Sequence, residues 1–292
     1  MIKFHGVLPA LLTPVNKEGN LNVNALEQLI EKLLAEGADG FYIGGATGEG
    51  IILDGEVLKD LIRHSMRIVA GRVPCIFHIA RTNFREALEL ARYAEEHGAA
   101  AISAIPPIFF KYTEDDIVAY YKRLAESVKI PLMIYNNPNT GVTFTQPLLK
   151  RLFAIPNITA IKWTNYDFCA VMQLKSALPE VNVVNGPDEM ALLGLTAGCD
   201  ACIGTTYNFQ LPTIKGIYEA FQRGDIAEAL RLQTLACNVI GAIRPRNIIL
   251  ATRTIVSAQG VDVSTPMFPQ QPYSNEEATS LINAVRAAGL QI

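Results

Sequence analysis

A single lysine lies in the middle of an apolar, β-branched run, ITAIKWT (Ile158–Thr164). A buried ammonium group is costly, so this lysine must be paired, must reach solvent along its stem, or must be a neutral amine. A neutral amine is a nucleophile for carbonyl groups. Because side chains alternate along a strand, Lys162 and Thr164 share one face, while the bulky Ile161 and Trp163 occupy the other.

Two other stretches carry groups that could act together with this amine. The strand-like PLMIYNNP contains Tyr135, whose phenol suits proton transfer if it faces the same interior as Lys162; an ordinary core tyrosine is the alternative. The glycine-rich turn GGATGEG (Gly44–Gly50) presents backbone N–H groups and the Thr47 hydroxyl to a small anion such as a carboxylate. Its spacing matches neither a dinucleotide-binding motif nor a P-loop.

Composition bounds the class of protein. The chain has 292 residues, of which 50% are hydrophobic, and a formal net charge of −3. The sequence contains no block rich in Lys and Arg, which argues against nucleic acid as a partner. The sequence lacks an uninterrupted apolar stretch of about 18 residues, so it does not predict a membrane-spanning helix. Prolines break the short apolar run at the N-terminus, which argues against a signal peptide. Five scattered cysteines fit a reducing cytoplasm. The C-x-x-C at Cys199–Cys202 is interpreted as two small core residues.

Apolar runs alternate with amphipathic helical segments through most of the chain. The predicted strands are Val7–Val15, Gly40–Gly45, Cys75–Ala80, Ala100–Ile105, Pro131–Asn136, Ile158–Thr164, Val181–Asn185 and Ala201–Thr205. Asn22, Asn83 and Thr113 are predicted helix N-caps, and Gly37 and Gly98 are predicted helix ends. Eight such units over about 220 residues predict a (β/α)8 TIM barrel. A doubly wound open sheet is the alternative, because strand order cannot be read from sequence.

We assign residues 1–224 to the barrel and residues 225–292 to a C-terminal helical extension. The extension is predicted to contain three helices: Ile226–Ile243, Arg246–Gln259 and Glu276–Gly289. Functional groups of a barrel collect at the carboxyl ends of its strands, which is where Lys162 and Tyr135 fall. Asp188 and Glu189 follow the seventh strand closely, so they are expected at the same mouth. Their alternative role is to cap a helix that begins near Met190.

These stretches together resemble the dihydrodipicolinate synthase/N-acetylneuraminate lyase family of class I, Schiff-base aldolases. The resemblance covers nearly the whole chain, and NGPDEM (Asn185–Met190) and GCDACIGTTYNF (Gly198–Phe209) are more similar to the lyase branch. It implies that Lys162 forms an iminium with pyruvate and that Tyr135 donates and accepts the proton. It further implies that no metal or cofactor is needed, because the protonated imine is itself the electron sink. A homotetramer is expected.

The resemblance also assigns the substrate contacts. Thr47 and the amides of its turn, at Ala46 and Gly48, would hold the pyruvate carboxylate. The sugar-derived chain would contact Thr164, Gly186, Asp188, Glu189 and Thr205.

Three positions depart from the family pattern. Ala46 stands where a serine or threonine is usual, which removes a hydroxyl from the turn. Phe110 stands where the synthase branch has a tyrosine of its proton relay. The segment after Tyr135, NNPNTG, is one residue shorter than usual and lacks the arginine that synthases use for a second carboxylate.

The expected activity is therefore the reversible cleavage of N-acetylneuraminate to N-acetylmannosamine and pyruvate. A lyase for another 2-keto-3-deoxy sugar acid is an alternative, since Asp188 and Glu189 could serve any polyol tail. Dihydrodipicolinate synthase is a further alternative, against which the last two departures count. An alternative of another class is a catalytically idle sensor that binds a 2-oxo acid, which Ala46 favours.

Overall fold

A computed structural model describes residues 3–292 as a ring of eight parallel strands surrounded by helices. The strands are β1 (Gly6–Pro9), β2 (Phe41–Ile43), β3 (Cys75–His78), β4 (Ala101–Ala104), β5 (Leu132–Asn136), β6 (Ile158–Trp163), β7 (Asn182–Asn185) and β8 (Ala201–Gly204). From β2 to β8 each strand pairs with its sequence neighbour, and β8 pairs with β1. A parallel bridge between Ala10 and Tyr42 completes the ring between β1 and β2. The predicted (β/α)8 barrel is confirmed, and the open-sheet alternative is wrong.

Within residues 3–292, eight α-helices connect the strands or follow the last one, and three more form the C-terminal extension. They are α1 (Val23–Ala35), α2 (Gly55–Val69), α3 (Phe84–Glu96), α4 (Glu114–Ala125), α5 (Gln146–Phe153), α6 (Phe168–Ala177), α7 (Ala191–Thr196), α8 (Tyr207–Gln222), α9 (Ile226–Ile243), α10 (Ile248–Ala258) and α11 (Asn275–Ala287). The three predicted N-caps Asn22, Asn83 and Thr113 each accept a backbone bond from the first turn of their helix. Gly37 and Gly98 adopt left-handed backbone angles just after α1 and α3, as predicted.

The largest difference in strand length is at β1, which was predicted to run to Val15 and ends at Pro9. Proline has no N–H to donate to a strand ladder, and Pro9 and Pro14 flank the segment in question. Ala10 and Val15 make only isolated bridges. The predicted strand end at Val15 is therefore wrong. The apolar run beyond Pro9 is a buried loop, and its hydrophobicity alone does not distinguish it from a strand.

Two separate apolar clusters show which side chains of the strands point into the ring and which point toward the helices. Inside the ring, Met133, Tyr135 and Ala160 belong to one buried cluster. Ile161 and Trp163 belong to the second cluster, between the strands and the surrounding helices. The predicted alternation along β5 and β6 is therefore confirmed, and position 162 points into the ring.

The C-terminal extension packs on the barrel through α9, which contacts α8. The predicted boundary at residues 224 and 225 falls in the turn between these two helices, and the division into two domains stays a prediction. By length and composition alone α9 could cross a membrane, a property that core helices of soluble proteins share. In this fold Ala229, Ala236 and Val239 of α9 are buried in the core.

An ion pair from the extension fixes the glycine-rich turn after β2. Arg253 of α10 and Glu49 of the turn are both buried, and the Arg253 Nε donates to Glu49 Oε2 at 3.1 Å. Arg253 also donates to the carbonyl oxygens of Thr13 and Val263, both at 2.9 Å. A Cβ at Gly50 would lie 1.8 Å from the carbonyl oxygen of Gly44, so the turn closes on itself too tightly for any side chain there.

We expect Arg253→Leu to destabilise the protein by about 3–5 kcal/mol, because the Glu49 carboxylate would stay buried without its partner. Denaturant unfolding measures the change. The double variant Glu49→Gln/Arg253→Leu should recover part of the loss, since no buried charge is then left alone. Arg231→Leu on exposed α9 surface serves as the control and should change stability little. A single variant as stable as the wild type would show that the pair does not hold the turn.

Candidate active site

Lys162 lies inside the barrel, in register with Tyr135 of β5 and Val184 of β7. Only 5% of the residue is exposed, so its stem does not carry the amine to solvent. The Nζ lies 4.3 Å from the ring centroid of Tyr135 and 4.5 Å from that of Tyr42. Among residues 3–292, no carboxylate forms an ion pair with it. Two aromatic faces therefore surround an amine that lacks an acidic partner.

Tyr42 is a site residue that the sequence reasoning missed. Its ring meets that of Tyr135 edge to face at 5.9 Å, and its hydroxyl donates to Ser103 Oγ at 3.0 Å. Burial, and then the neighbouring Tyr135, raise the pKa of the Tyr42 phenol well above its ordinary value. Tyr42 is therefore an un-ionised wall of the amine's environment. The period-two rule that placed Tyr135 inside applies equally to Tyr42 in the short strand FYI and could have found it.

His78 forms a second wall that the sequence did not indicate. Its ring lies edge to face with Tyr135 at 5.9 Å, and its Nε2 accepts a bond from the Ile105 N–H at 3.3 Å. Burial, and then the nearby Lys162 charge, lower the pKa of His78 to about 3. The imidazole is therefore neutral and leaves any positive charge in this interior to Lys162.

The glycine-rich turn places one hydroxyl pair at the mouth of the barrel. Thr47 is buried, and its Oγ1 lies 2.7 Å from Thr205 Oγ1, so the two predicted contact residues are brought together. The carbonyl oxygen of Gly48 accepts a bond from Thr13 Oγ1 at 2.8 Å, which holds the turn against the loop after β1. Ala46 is exposed. The turn thus keeps a buried hydroxyl despite the alanine at position 46.

Five of the predicted contact residues line one cleft of about 410 Å³: Thr164, Gly186, Asp188, Glu189 and Thr205. The Thr164 Oγ1 is buried and has no hydrogen-bond partner within residues 3–292, so it is available to a bound molecule. A Cβ at Gly186 would lie 2.1 Å from this oxygen. Glycine at this position therefore leaves room for the threonine hydroxyl.

Asp188 is tied to the start of α8. Its Oδ2 accepts bonds from the Thr206 N–H at 2.7 Å and from Thr206 Oγ1 at 2.6 Å. No side chain caps the short 3-10 turn Asp188–Met190 or α7, so the N-cap of the predicted alternative is wrong, whereas Asp188 and Glu189 do lie in the first turn of the 3-10 helix. Burial raises the pKa of the Asp188 carboxyl to about 6, against the opposing effect of the two Thr206 bonds.

Glu189 is engaged by two residues that sequence reasoning did not find. Its Oε1 accepts bonds from the Tyr166 hydroxyl at 2.6 Å and from Arg244 Nη2 at 2.7 Å. The Glu189 bond is the main reason why the pKa of Tyr166 rises to about 12. Tyr166 stands two residues beyond Thr164 and could have been suspected from that position. Arg244 comes from the end of α9, and nothing local in the sequence links it to the mouth of the barrel.

The remaining cysteine interpretation also holds. Cys199 and Cys202 are buried free thiols, and burial raises the pKa of Cys199 to about 12. Within residues 3–292, no group of three or more His, Cys, Asp or Glu side chains is arranged to hold a metal ion.

A TIM barrel with an unpaired interior lysine and a polar cleft at its mouth defines a class of barrel built for carbonyl chemistry. The chain belongs to the dihydrodipicolinate synthetase family, whose model matches residues 3–288. It is 31% identical to the N-acetylneuraminate lyase of Rhizobium meliloti over 284 residues, which cover 97% of this chain and 95% of that protein.

Solved structures show the same likeness. CdNal from Clostridium difficile, in complex with mannosamine, superposes with a TM-score of 0.95 at 29% identity, covering 98% of this chain and all of that chain. A catalytic lysine mutant of the Ruminococcus gnavus sialic acid aldolase superposes with a TM-score of 0.94 at 27% identity, covering 98% of this chain and 95% of that chain. The family resemblance inferred from the sequence is therefore confirmed.

The raised pKa of Asp188 predicts a pH dependence of stability. Between about pH 4 and pH 6 the folded protein binds a proton that the unfolded chain has already released, so the free energy of unfolding falls as pH rises. Asp188→Asn removes the titrating group while keeping an acceptor for Thr206. We expect the stability of wild type relative to the variant to fall across this window by on the order of 3 kcal/mol, at about 1.4 kcal/mol per pKa unit. Denaturant unfolding at several pH values gives the two curves, and parallel curves would contradict the assignment.

Proposed function

We propose that this protein is a class I aldolase that reversibly cleaves N-acetylneuraminate to N-acetylmannosamine and pyruvate. The observation that carries the proposal is the Lys162 amine, buried between two aromatic rings without an acidic partner. Because no carboxylate holds Nζ in an ion pair within residues 3–292, no acidic side chain blocks its approach to a carbonyl carbon. The names of the N-acetylneuraminate lyase and sialic acid aldolase relatives support the reaction class.

The reaction follows from this amine. Lys162 attacks the C2 carbonyl carbon of the open-chain sugar acid, and loss of water gives a protonated imine. Removal of the proton from the C4 hydroxyl breaks the C3–C4 bond, and its electron pair moves into the imine to give an enamine. N-acetylmannosamine leaves as the aldehyde. Protonation at C3 and hydrolysis of the imine then release pyruvate and restore the amine.

Tyr135 is the residue that we assign to move these protons, since its ring already borders Nζ. The Thr47–Thr205 hydroxyl pair and the amides of the turn are assigned to the carboxylate of the pyruvate half. The free Thr164 hydroxyl, together with the groups of Asp188 and Glu189, is assigned to the hydroxyls of the sugar tail. These roles place the bond-breaking chemistry deep in the barrel and recognition of the tail at its mouth.

A lyase for another 2-keto-3-deoxy sugar acid is the second candidate. The specific observation in its favour is that one oxygen of Glu189 already accepts two bonds, from Tyr166 and Arg244. Such an oxygen has less capacity for sugar hydroxyls than a free carboxylate.

The homotetramer also stays a proposal. Phe109 and Phe110 of the loop after β4 are 91% and 69% exposed and supply apolar surface for subunit contact.

The direct test of the proposal is covalent trapping. Borohydride added with pyruvate should reduce the imine and leave one adduct, which mass spectrometry maps to Lys162. A parallel screen for pyruvate release from N-acetylneuraminate and several 2-keto-3-deoxy sugar acids identifies the substrate. Lys175, paired with Asp200 near the opposite ends of the strands, is the matched control and should carry no label. A label elsewhere, or none, would refute the mechanism, and trapping without any turnover would favour a sensor.

Tyr135→Phe separates imine formation from proton transfer. We expect this variant to fold and to trap pyruvate at Lys162, but to lose about 10²-fold or more in kcat, the usual scale for a positioned acid–base group. Tyr42→Phe keeps the second ring and removes only the hydroxyl bonded to Ser103, so it should lose much less. Near-normal turnover in Tyr135→Phe would reduce that phenol to a packing role.

A further inference from the structure

Two arginines line the outer part of the cleft, beyond the predicted contact residues. Arg244 and Arg246 share this wall with Glu189 and Tyr166. The side chain of Arg244 is 66% exposed, and its one hydrogen bond within residues 3–292 runs from Nη2 to Glu189 Oε1. A guanidinium has five N–H donors, so most of those of Arg244 are unused.

Arg246 has even less compensation for its charge. Its Nη1 donates to the Ala242 carbonyl oxygen at 2.7 Å, and its Nη2 lies 3.4 Å from Ser280 Oγ. Within the described residues it pairs with no carboxylate. Glu277, three residues before Ser280 on α11, accepts the Ser274 N–H and hydroxyl with its Oε2 in the helix cap and forms no ion pair with Arg246. Arg246 is thus a half-buried cation with neutral partners only.

The formal charges of the four charged side chains around the outer cleft sum to zero, but these side chains are not paired alike. The Asp188 carboxylate is buried and committed to Thr206. The Glu189 carboxylate is balanced by Arg244. Arg246 therefore forms no ion pair within residues 3–292, and several N–H donors of the two arginines in this wall are free.

We propose that the outer end of the cleft binds an acidic group, a carboxylate or a phosphate, at the far end of the substrate tail. The inference rests on the proposed function, because it takes Lys162 as the anchor of the other end. A planar guanidinium fork matches the oxygens of either acid and is less suited to a neutral hydroxyl. The preferred substrate is then a 2-oxo sugar acid with a second acidic group, and neutral-tailed sugar acids are the slower members of the same series.

Glu189 should affect the preference for acidic tails in the opposite direction to the two arginines. Its carboxylate holds Arg244 in place, yet its negative charge opposes an incoming anion. Neutralising it would free Arg244 from its ion pair and leave two guanidinium charges against the single carboxylate of Asp188. Substitution of an arginine should therefore weaken the preference for acidic tails, whereas substitution of Glu189 should strengthen it. A general loss of folding or of turnover would not produce opposite changes.

The experiment compares kcat/KM for substrates that differ only at the end of the tail. 2-Keto-3-deoxygluconate, its 6-phosphate and 2-keto-3-deoxyglucarate form one series, with a hydroxyl, a phosphate and a carboxylate at the same carbon. N-acetylneuraminate and its 9-phosphate form a second. The measured quantity is the ratio of kcat/KM for each acidic member to that for its neutral partner. We expect a ratio of about 10 or more in 0.15 M salt, falling at higher ionic strength.

Substitutions then locate the effect. Arg246→Gln should lower the ratio about tenfold or more, while Arg246→Lys keeps a point charge and should lower it less. Glu189→Gln should raise the ratio. Arg231→Gln, on the exposed surface of the same α9 helix and paired with Glu228, is the matched control and should leave the ratio unchanged.

The outcomes are distinct. A preference for the phosphate or for the carboxylate alone names the acidic group. Ratios at or below one for every acidic member, or ratios that Arg246→Gln does not change, would overturn the inference. If pyruvate is trapped at Lys162 and neutral sugar acids are cleaved under those results, the proposed function stands without it. If no trapping and no cleavage occur, the proposed function itself has failed.

Discussion

The site depends on one constraint: the Lys162 amine lies inside a packed barrel and forms no ion pair with any carboxylate of residues 3–292. Burying a charged ammonium without an ion-pair partner is expensive, and the side chains that directly face Lys162 are uncharged. Two aromatic rings face Nζ, and burial keeps His78 and Tyr42 in their neutral forms. Each of these groups would be a poor counter-ion, and for that reason each is compatible with an amine that reacts. Had an aspartate replaced His78, the same lysine would be a structural cation.

The helical extension belongs to this site as much as the strands do. Arg253 reaches from α10 to Glu49 and so fixes the turn that carries Thr47. The end of α9 supplies Arg244 to the outer cleft. A buried ion pair of this kind contributes little net stability, because desolvation offsets the attraction. Its value here is geometric, since it admits one conformation of a turn whose glycines would otherwise permit several.

The sequence was sufficient wherever function follows from local periodicity. Alternation along β6 placed Lys162 inside, the same rule on β5 placed Tyr135, and N-cap residues such as Asn83 marked helix starts. Prediction from the sequence failed where the important contact joins residues that are far apart along the chain. Arg244 and Glu189 are 55 residues apart, and Arg253 and Glu49 are 204 apart, so no window of sequence contains both partners. Asp188 shows the intermediate case, because its position was foreseen but its bond to Thr206 was not.

The two ends of the cleft are therefore built under different rules. The groups proposed to make and break bonds, such as Lys162 and Tyr135, stand on paired strands, where register fixes their separation and a substitution disturbs the whole ring. The groups proposed to meet the far end of a substrate, such as Tyr166 and Arg244, stand on a loop and a helix end, where side chains are more exposed. Selection can change the second set without disturbing the first. A barrel of this kind can thus keep one imine chemistry and exchange the acid, amide or polyol that its mouth accepts, and the charge of that mouth becomes the most direct guide to the substrate.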